Sequence, residues 1–254
     1  MNVGNSMENE EIKEDKGNKG DEKNKDNKEK EKKAAAMASA GYIRDGMTLG
    51  LGTGSTAYYL IREVGAMVRA GRMLQAVATS EATVKLAVSL GIPIVRPEDG
   101  KKVDLAIDGV DEIDDNFCAV KGGGGALLRE KIVARRAAQV IWIMDESKLV
   151  KRLGAFPFPA EVLPFGSAWA AEAVKELGGT AVRRQREGRP FVTDNGNWIL
   201  DISFPENIDF IAAARAVREI PGVLETGLFD NLCSRIIIGT KDGVCERRNP
   251  LKNN

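Results

Sequence analysis

The sequence predicts an α/β protein with a doubly wound sheet and a second, smaller α+β domain. In residues 34–155, short apolar runs typical of buried strands alternate with longer segments of helical periodicity. Prolines and phenylalanines interrupt this alternation at residues 156–166, which indicates a domain junction. Helical segments and short strands with hairpin turns follow, as in a small antiparallel domain. We therefore expect a large domain from residues 34–155 and 227–254, and a small domain from residues 156–226.

The individual elements follow from the same patterns. The large domain is expected to contain helices at 34–46, 53–71 and 81–91, strands at 47–52, 74–80, 92–97 and 103–108, and a further helix leading into a strand at 140–144. The small domain is expected to contain helices at 167–179 and 208–220, with strands at 180–186, 190–194 and 197–204. Strands within 223–230 and 235–247 then return to the large domain.

Composition excludes several kinds of catalytic site. The chain has 37 basic and 37 acidic residues, so its total charge does not favour nucleic acid or an anionic membrane as a partner. Histidine is absent, which excludes Ser-His and Cys-His nucleophilic systems and histidine-ligated zinc. The three cysteines form no CxxC pair. We expect a cytoplasmic protein whose chemistry rests on carboxylates and lysines.

The first 33 residues form a charged leader. They contain nine lysines, ten acids and no arginine, with few apolar side chains. This composition predicts disorder and does not resemble a transit peptide, which is rich in arginine and poor in acids.

A strand, a glycine turn and a helix at residues 47–69 form a pattern typical of phosphate binding. The turn consists of Gly50, Gly52, Thr53, Gly54, Ser55 and Thr56. It offers backbone N–H groups and hydroxyls at a helix N-terminus, where the helix dipole favours an anion. Two alternatives remain open. Gly52 to Ala57 also matches the GxGxxA dinucleotide fingerprint, with Glu81 as its acid, and the turn could simply be capped by Ser55 or Thr56.

Acidic residues follow the buried strand at 103–108. Asp108 and Asp111 lie at its carboxyl end, where α/β sheets bind ligands. Asp111 and Glu112 could instead hold a divalent cation, although no third ligand is evident. Cys118 is expected to be a small buried residue.

Lys121 and four consecutive glycines come next. Glycine costs about 0.5–1 kcal/mol relative to alanine inside a regular element, so packing does not explain Gly122–Gly125, and we expect the backbone to approach a ligand there. Glu130 is expected about two turns into the following helix. It could alternatively be an ordinary solvated residue between Arg129 and Lys131.

Two further groups of cations follow in the sequence. Lys148 lies just past the strand at 140–144, after Asp145, which could cap a turn. The four small-domain arginines, Arg183, Arg184, Arg186 and Arg189, are expected on the solvated face of a hairpin, because no aromatic residues interleave with them as in a nucleic-acid site.

Taken together, TGST at 53–56, DGVDEID at 108–114, KGGGGALLREK at 121–131 and LPFG at 163–166 resemble the type A ribose-5-phosphate isomerases. The resemblance covers residues 32–250. It implies a Rossmann-like domain, a ferredoxin-like small domain and a homodimer or homotetramer. It also implies interconversion of ribose 5-phosphate and ribulose 5-phosphate in the pentose phosphate pathway, without a metal or an organic cofactor.

The resemblance also assigns residues to roles. Glu130 matches the catalytic base, and Asp108, Asp111 and Lys121 match the other residues around the reacting carbons. The implied substrate-binding residues are Thr53, Gly54, Ser55, Thr56, Asp108, Gly109, Val110, Asp111, Lys121, Gly122, Gly123, Gly124 and Lys148. Within the leader, only Lys32 and Lys33 approach a substrate-contacting position.

The chemistry of aldose-ketose isomerisation fits these residue types. A base must move a proton between two adjacent carbons, and donors must stabilise the enediolate. A carboxylate of raised pKa, a lysine and backbone N–H groups suffice, and an aspartate could assist ring opening. Two other classes remain open: a sugar-phosphate sensor of related fold, which would carry a DNA-binding module, and a nucleotide-dependent dehydrogenase.

Overall fold

The computed structural model describes residues 16–252 of the chain. The helices are α1 (Lys16–Ala40), α2 (Ser55–Arg69), α3 (Glu81–Ser89), α4 (Leu127–Arg136), α5 (Ser167–Glu176) and α6 (Phe210–Arg218). The strands are β1 (Thr48–Leu51), β2 (Gln75–Ala78), β3 (Val103–Gly109), β4 (Glu112–Ile113), β5 (Cys118–Val120), β6 (Ala137–Asp145), β7 (Phe158–Val162), β8 (Thr180–Arg183), β9 (Gln185–Arg186), β10 (Arg189–Pro190), β11 (Trp198–Ser203), β12 (Val223–Thr226), β13 (Leu228–Asp230), β14 (Arg235–Thr240) and β15 (Gly243–Arg248). Of the helices among these residues, none is both long and apolar enough to cross a membrane.

The central sheet has six strands in the order β2-β1-β3-β6-β14-β15. All neighbouring pairs are parallel except β14 with β15. Apolar residues cover both faces: one cluster joins the sheet to α1 and α2, and another joins it to α4. Strands buried on two sides need continuous apolar sequence, which β3 and β6 have. The predicted doubly wound, Rossmann-like sheet is confirmed.

The second sheet has four antiparallel strands in the order β12-β7-β11-β8. Its strands and the helices α5 and α6 follow one another as two β-α-β units, which is the ferredoxin-like arrangement. Residues 156–166 were predicted only as a junction, but β7 within them is a central strand. Its residues Phe158, Ala160 and Val162 are buried in the small core. We propose that the two domains divide at residues 156 and 226.

A third sheet was not predicted. Its three strands have the order β13-β5-β4, so that β13, which follows the small domain, pairs with β5, which precedes α4. The segment between β3 and α4 is therefore a paired hairpin rather than an open acidic turn. This sheet fixes Lys121 directly after β5, because the Lys121 N–H donates to the Gly227 carbonyl at 2.9 Å.

The N-terminal region differs from expectation. Residues 1–15 of the predicted disordered leader lie outside the described residues, but residues 16–33 belong to α1, which ends at Ala40 and not at residue 46. Lysine and glutamate favour helix. Within α1, Lys32 pairs with Glu29 at 2.7 Å, and the Tyr59 hydroxyl donates to Glu29 at 2.8 Å. The charged segment is thus held by contacts with α2.

Two predicted strands are shorter than expected. Residues 92–97 form only an isolated bridge between Ile94 and Ala76. Pro93 and Pro97 have no N–H groups to extend the pairing. Residues 190–194 likewise contribute only Pro190 to β10 and a bridge from Val192 to Trp198.

Candidate active site

A cavity of about 150 Å³ opens at the carboxyl ends of β1 and β3. From β1 the chain continues to β2 on one side of the sheet, and from β3 it continues towards β6 on the other side. Ligands of α/β sheets bind at the point where the connections reverse direction in this way. The cavity is lined by Lys32, Thr53, Gly54, Ser55, Thr56, Gly109, Val110, Asp111, Lys121, Gly122, Gly123, Gly124, Glu130 and Lys148. The structure therefore brings the predicted site residues together, with Asp108 directly behind the lining.

Asp108 is buried at the end of β3 and receives two backbone hydrogen bonds. Its Oδ1 accepts from the Thr53 N–H at 3.0 Å and from the Gly109 N–H at 2.7 Å. Gly52 is required next to it, since a Cβ at that position would lie 1.9 Å from Asp108 Oδ1. The turn after β1 and the end of β3 are therefore fixed to each other through this carboxylate.

Lys121 is the central cation of the site and is only 2% exposed. Its Nζ lies 2.9 Å from Asp108 Oδ2 and 3.2 Å from Glu130 Oε2, and it donates to the Gly109 carbonyl at 2.5 Å. Nζ also lies 5.1 Å and 5.4 Å from the ring centres of Trp142 and Phe229. The two aromatic faces exclude water while still interacting favourably with the positive charge.

Glu130 lies in the first turn of α4, rather than two turns into the helix as predicted, because the helix begins at Leu127. It is 5% exposed, so the solvated alternative is wrong. The side chains on either side of Glu130 in the sequence form hydrogen bonds with the small domain. Arg129 donates to Asn195 Oδ1 at 2.8 Å, and Lys131 donates to Glu225 Oε1 at 2.9 Å. Both flanking side chains thus hold the helix turn that carries Glu130.

The carboxyl of Glu130 is poorly satisfied. Its Oε2 is buried without a hydrogen-bond partner among the described residues, although Lys121 Nζ is 3.2 Å away. Burial raises the pKa of Glu130 to about 8, against the lowering effect of Lys121. A carboxyl with a pKa near neutrality can both accept and return a proton, as a general base must.

The other two charges of the cluster have different environments. Burial raises the pKa of Asp108, and Lys121 together with two backbone N–H groups opposes that effect. Burial lowers the pKa of Lys121, but Asp108 and Glu130 outweigh it and the net shift is upward. Asp108 accepts two backbone hydrogen bonds and lies closer to Lys121 Nζ than Glu130 does, so its charged form is the better supported of the two.

The four glycines have different roles, which corrects the prediction that packing does not explain them. A Cβ would clash with Leu127 or Pro159 at Gly122, with Asp111 at Gly123, and with Phe191 at Gly125. Gly122 and Gly125 also have positive φ, of 112° and 81°. Only Gly124 is open, with Thr53 Cγ2 as the nearest atom at 3.7 Å. Neighbouring side chains therefore require glycine at three of these positions, and only Gly124 leaves open space at the cavity.

The turn at Thr53–Thr56 begins α2 without a side-chain cap. The capping alternative for Ser55 or Thr56 is therefore wrong, and N–H groups of the first turn remain for a ligand. The Thr53 hydroxyl is engaged elsewhere, 2.8 Å from Thr79 Oγ1 and 2.9 Å from Ser80 Oγ.

The dinucleotide alternative is not favoured by the position of Glu81. Its Oε1 pairs with Arg129 Nη1 at 2.9 Å. A ribose hydroxyl would have to compete with that ion pair for the carboxylate.

Two lysines besides Lys121 line the cavity that the start of α2 also lines. Lys148 ends a 3₁₀ turn in which Asp145 accepts from the Ser147 N–H at 3.2 Å, so the predicted cap is confirmed. Lys32 of α1 also lines the cavity. The cavity that the start of α2 lines thus contains two cations besides Lys121.

The divalent-cation alternative at Asp111 and Glu112 is not supported. Glu112 is buried and accepts from the N–H groups of Gly154 and Phe156 at 2.8 and 2.6 Å, while Asp111 Oδ2 accepts from the Gly123 N–H at 2.8 Å. Residues 16–252 contain no group of three or more potential metal ligands. Cys118 is half-buried rather than buried, and burial raises the pKa of its thiol to about 12.

One residue near the site was assigned wrongly. Arg183, Arg186 and Arg189 are exposed as predicted, but Arg184 is half-buried, pairs with Asp201 and donates to the carbonyls of Gly122 and Gly123. Four arginines in seven residues carry no signal that separates this one from the rest. Arg184 differs from the other three through its contacts with Asp201 and with the glycine loop, which lie elsewhere in the sequence.

Comparison with known proteins identifies the family. Residues 75–243 match the family of ribose 5-phosphate isomerase A (phosphoriboisomerase A). The ribose-5-phosphate isomerase A of Bacillus mycoides is 48% identical over 209 residues, which cover 82% of this chain and 95% of the relative. The enzyme of Parvibaculum lavamentivorans is 46% identical over 219 residues, covering 84% and 95%.

Solved structures give the same result. Ribose 5-phosphate isomerase A from Methanocaldococcus jannaschii superposes with a TM-score of 0.81 at 40% identity, covering 85% of this chain and 97% of that one. A D-ribose-5-phosphate isomerase in complex with phospho-erythronic acid gives a TM-score of 0.83 at 37% identity, covering 87% and 99%. With a family match over residues 75–243 and relatives of 46–48% identity over most of both chains, the chain described here belongs to the ribose 5-phosphate isomerase A family.

Proposed function

We propose that this protein interconverts D-ribose 5-phosphate and D-ribulose 5-phosphate through an enediolate, with Glu130 as the base. The observation that carries the proposal is the buried Glu130 carboxyl, with an oxygen lacking a hydrogen bond, 3.2 Å from Lys121 Nζ and on the cavity lining. Such a group is poised to take a proton from carbon in a site that excludes water.

The phosphate is proposed to bind at the start of α2. The uncapped N–H groups at Ser55 and Thr56, the helix dipole and the ammonium groups of Lys148 and Lys32 all favour a dianion there. This places the sugar carbons towards Lys121 and Glu130, at the opposite end of the cavity.

At the reacting end, Glu130 removes the proton from C2 of the aldose to give the enediolate, the proton of the O2 hydroxyl passes to O1, and Glu130 returns its proton to C1. The negative charge that develops on the sugar oxygens is stabilised by the Lys121 ammonium and by the Gly124 N–H. Asp111 lines the cavity, whereas Asp108 lies behind it and pairs with Lys121. We assign assistance in ring opening to Asp111 and the positioning of Lys121 to Asp108.

Lys121 supplies the positive charge that stabilises the enediolate, so the proposed route has no step that requires a metal or an organic cofactor. We further propose a cytoplasmic location and a homodimeric or homotetrameric state. A mass measurement in solution tests the oligomeric state.

The central experiment incubates the protein with ribose 5-phosphate and follows ketose formation with and without EDTA. Equal rates are expected in both. Absence of ketose would contradict the isomerase function and leave the sugar-phosphate sensor as the alternative. Loss of activity in EDTA that is restored by a divalent cation would contradict metal independence alone.

A further inference from the structure

Arg184 reaches the glycine loop from the small domain. It follows β8, and its main chain is fixed on both sides: its N–H donates to the Ile199 carbonyl, and its carbonyl accepts from the Phe191 N–H, each at 2.9 Å. Its side chain is 14% exposed. Nε donates to Asp201 Oδ2 at 2.9 Å, and the pairing with this carboxylate is bidentate. The guanidinium is therefore held rigidly before it contacts the loop.

The same guanidinium binds two successive carbonyls of the loop. Nη1 donates to the Gly122 oxygen at 2.8 Å and to the Gly123 oxygen at 3.1 Å. Phe191, which is paired with Arg184 across the hairpin, occupies the space that a Cβ at Gly125 would fill. One short segment of the small domain thus contacts three of the four glycines.

The two peptide planes held by Arg184 have their N–H groups on the other side. In a trans peptide, the C=O and N–H bonds point in opposite directions. The first plane agrees with this rule, since the Gly122 carbonyl accepts from Arg184 while the Gly123 N–H donates to Asp111 at 2.8 Å. The second plane presents the Gly124 N–H on the same side as Asp111. Among residues 16–252, this N–H has no acceptor.

We propose that Arg184 is a positioning residue that fixes the Gly124 N–H as the oxyanion donor of the site. The inference rests on the proposed isomerase function. A charged donor on the Gly123 carbonyl sets the orientation of the following N–H and also increases its polarity. A backbone donor contributes to catalysis only if it is oriented before charge develops on the substrate. Glycine residues alone do not supply that rigidity, because their backbone is the most flexible.

The test compares kcat and KM for ribose 5-phosphate in Arg184→Met and in a matched control, Arg183→Met. Arg183 is the exposed neighbour, whose guanidinium lies over the Trp198 ring at 4.7 Å. We expect Arg184→Met to lower kcat about 10- to 100-fold with KM changed less than about threefold. Arg183→Met should leave both values within about twofold of the wild type. The phosphate end does not contact Arg184, which is why KM should change little.

Two further variants keep the test decisive if Arg184→Met does not fold. Arg184→Lys retains the charge but not the fork that contacts Asp201 and two carbonyls, so we expect partial activity. Asp201→Asn weakens the support of Arg184 without touching the loop, and we expect a fall in kcat of about three- to tenfold. Combined with Arg184→Met, it should add nothing further.

The outcomes separate this proposal from the function on which it rests. A wild-type protein that forms no ketose contradicts the isomerase function. An active wild type whose Arg184 variants keep kcat within twofold overturns the positioning role alone, as does an equal loss in the Arg183→Met control. A loss expressed wholly in KM would also overturn it, since an oxyanion donor acts on the transition state.

Discussion

Lys121 Nζ lies 3.2 Å from Glu130 Oε2, yet this oxygen accepts no hydrogen bond. The ammonium is directed instead to Asp108 Oδ2 and to the Gly109 carbonyl. Burial raises the pKa of Glu130, and Lys121 opposes this rise chiefly through its charge. The same ammonium remains close enough to stabilise an oxyanion on the substrate. In the proposed mechanism, a single lysine thus stabilises both the base and the intermediate.

Replacing Glu130 with glutamine should remove the base while preserving shape. We expect kcat to fall by about 10²–10⁴, with KM nearly unchanged, because the amide cannot accept the proton but fills the same volume. Steady-state kinetics at saturating ribose 5-phosphate measure this. Glu172→Gln serves as a control, since Glu172 is an exposed residue of α5 that does not line the cavity. A Glu130→Gln protein with wild-type kcat would rule out the base assignment.

The pH dependence of kcat/KM should report the ionisation of Glu130. The base must be ionised in the free enzyme, and its pKa is raised to about 8 by burial. Activity should therefore rise with pH up to that region, while the substrate phosphate, with a second pKa of about 6, contributes a separate inflection. In Glu130→Gln the inflection near 8 should disappear. Its persistence in that variant would assign the ionisation to another group.

The same raised pKa affects stability. The pKa of an unfolded glutamate is near 4.5, whereas burial raises the pKa of the folded Glu130 to about 8. The stabilising contribution is thus complete below about 4.5 and is lost as the pH rises towards 8. Relative to Glu130→Gln, the wild type should lose stability between these pH values in urea unfolding. A pH-independent difference between the two proteins would contradict the raised pKa.

Much of the site could be predicted because its signals are local. Asp108 lies at the end of an apolar strand, and Gly52 lies in a glycine turn. Each of these two patterns can be recognised from a stretch of about ten residues. The role of the glycines could not be predicted in the same way. Phe191 and Pro159, which require Gly125 and Gly122, lie more than thirty residues further along the chain, and their approach depends on how the small domain docks. Arg184 was missed for the same reason.

For the N-terminal helix, the composition of the charged segment gave the wrong prediction. Composition alone predicts disorder for a segment with nine lysines and ten acids. Whether this segment is helical depends instead on three small buried residues that follow it and pack onto the sheet, namely Ala35, Ala36 and Ala40. Once they anchor the helix, extending it over Glu29 and Lys32 requires little more than helix propensity and their ion pair.

Alanine at Gly124 and at Gly125 should have contrasting effects. At Gly124 a Cβ meets nothing closer than 3.7 Å, so stability should change by less than about 1 kcal/mol. A methyl group in the cavity should still lower kcat/KM by about 10- to 100-fold, since small displacements of substrate are costly. At Gly125 the positive φ and the clash with Phe191 should destabilise the fold by about 1–3 kcal/mol. Thermal unfolding and kinetics on both variants measure the contrast, which equal stability losses would contradict.

The phosphate end should respond through KM rather than kcat. Ser55→Ala removes a hydroxyl at the start of α2, and Lys148→Ala removes an ammonium from the lining of the same cavity. Both groups would hold the substrate phosphate equally in the ground state and the transition state, so their loss weakens binding uniformly. We expect KM to rise about tenfold for Lys148→Ala and less for Ser55→Ala, with kcat within about threefold of the wild type. Lys151→Ala, on an exposed residue past the same turn, is the matched control. If Lys148→Ala lowered kcat and left KM unchanged, Lys148 would have to act at the reacting carbons instead.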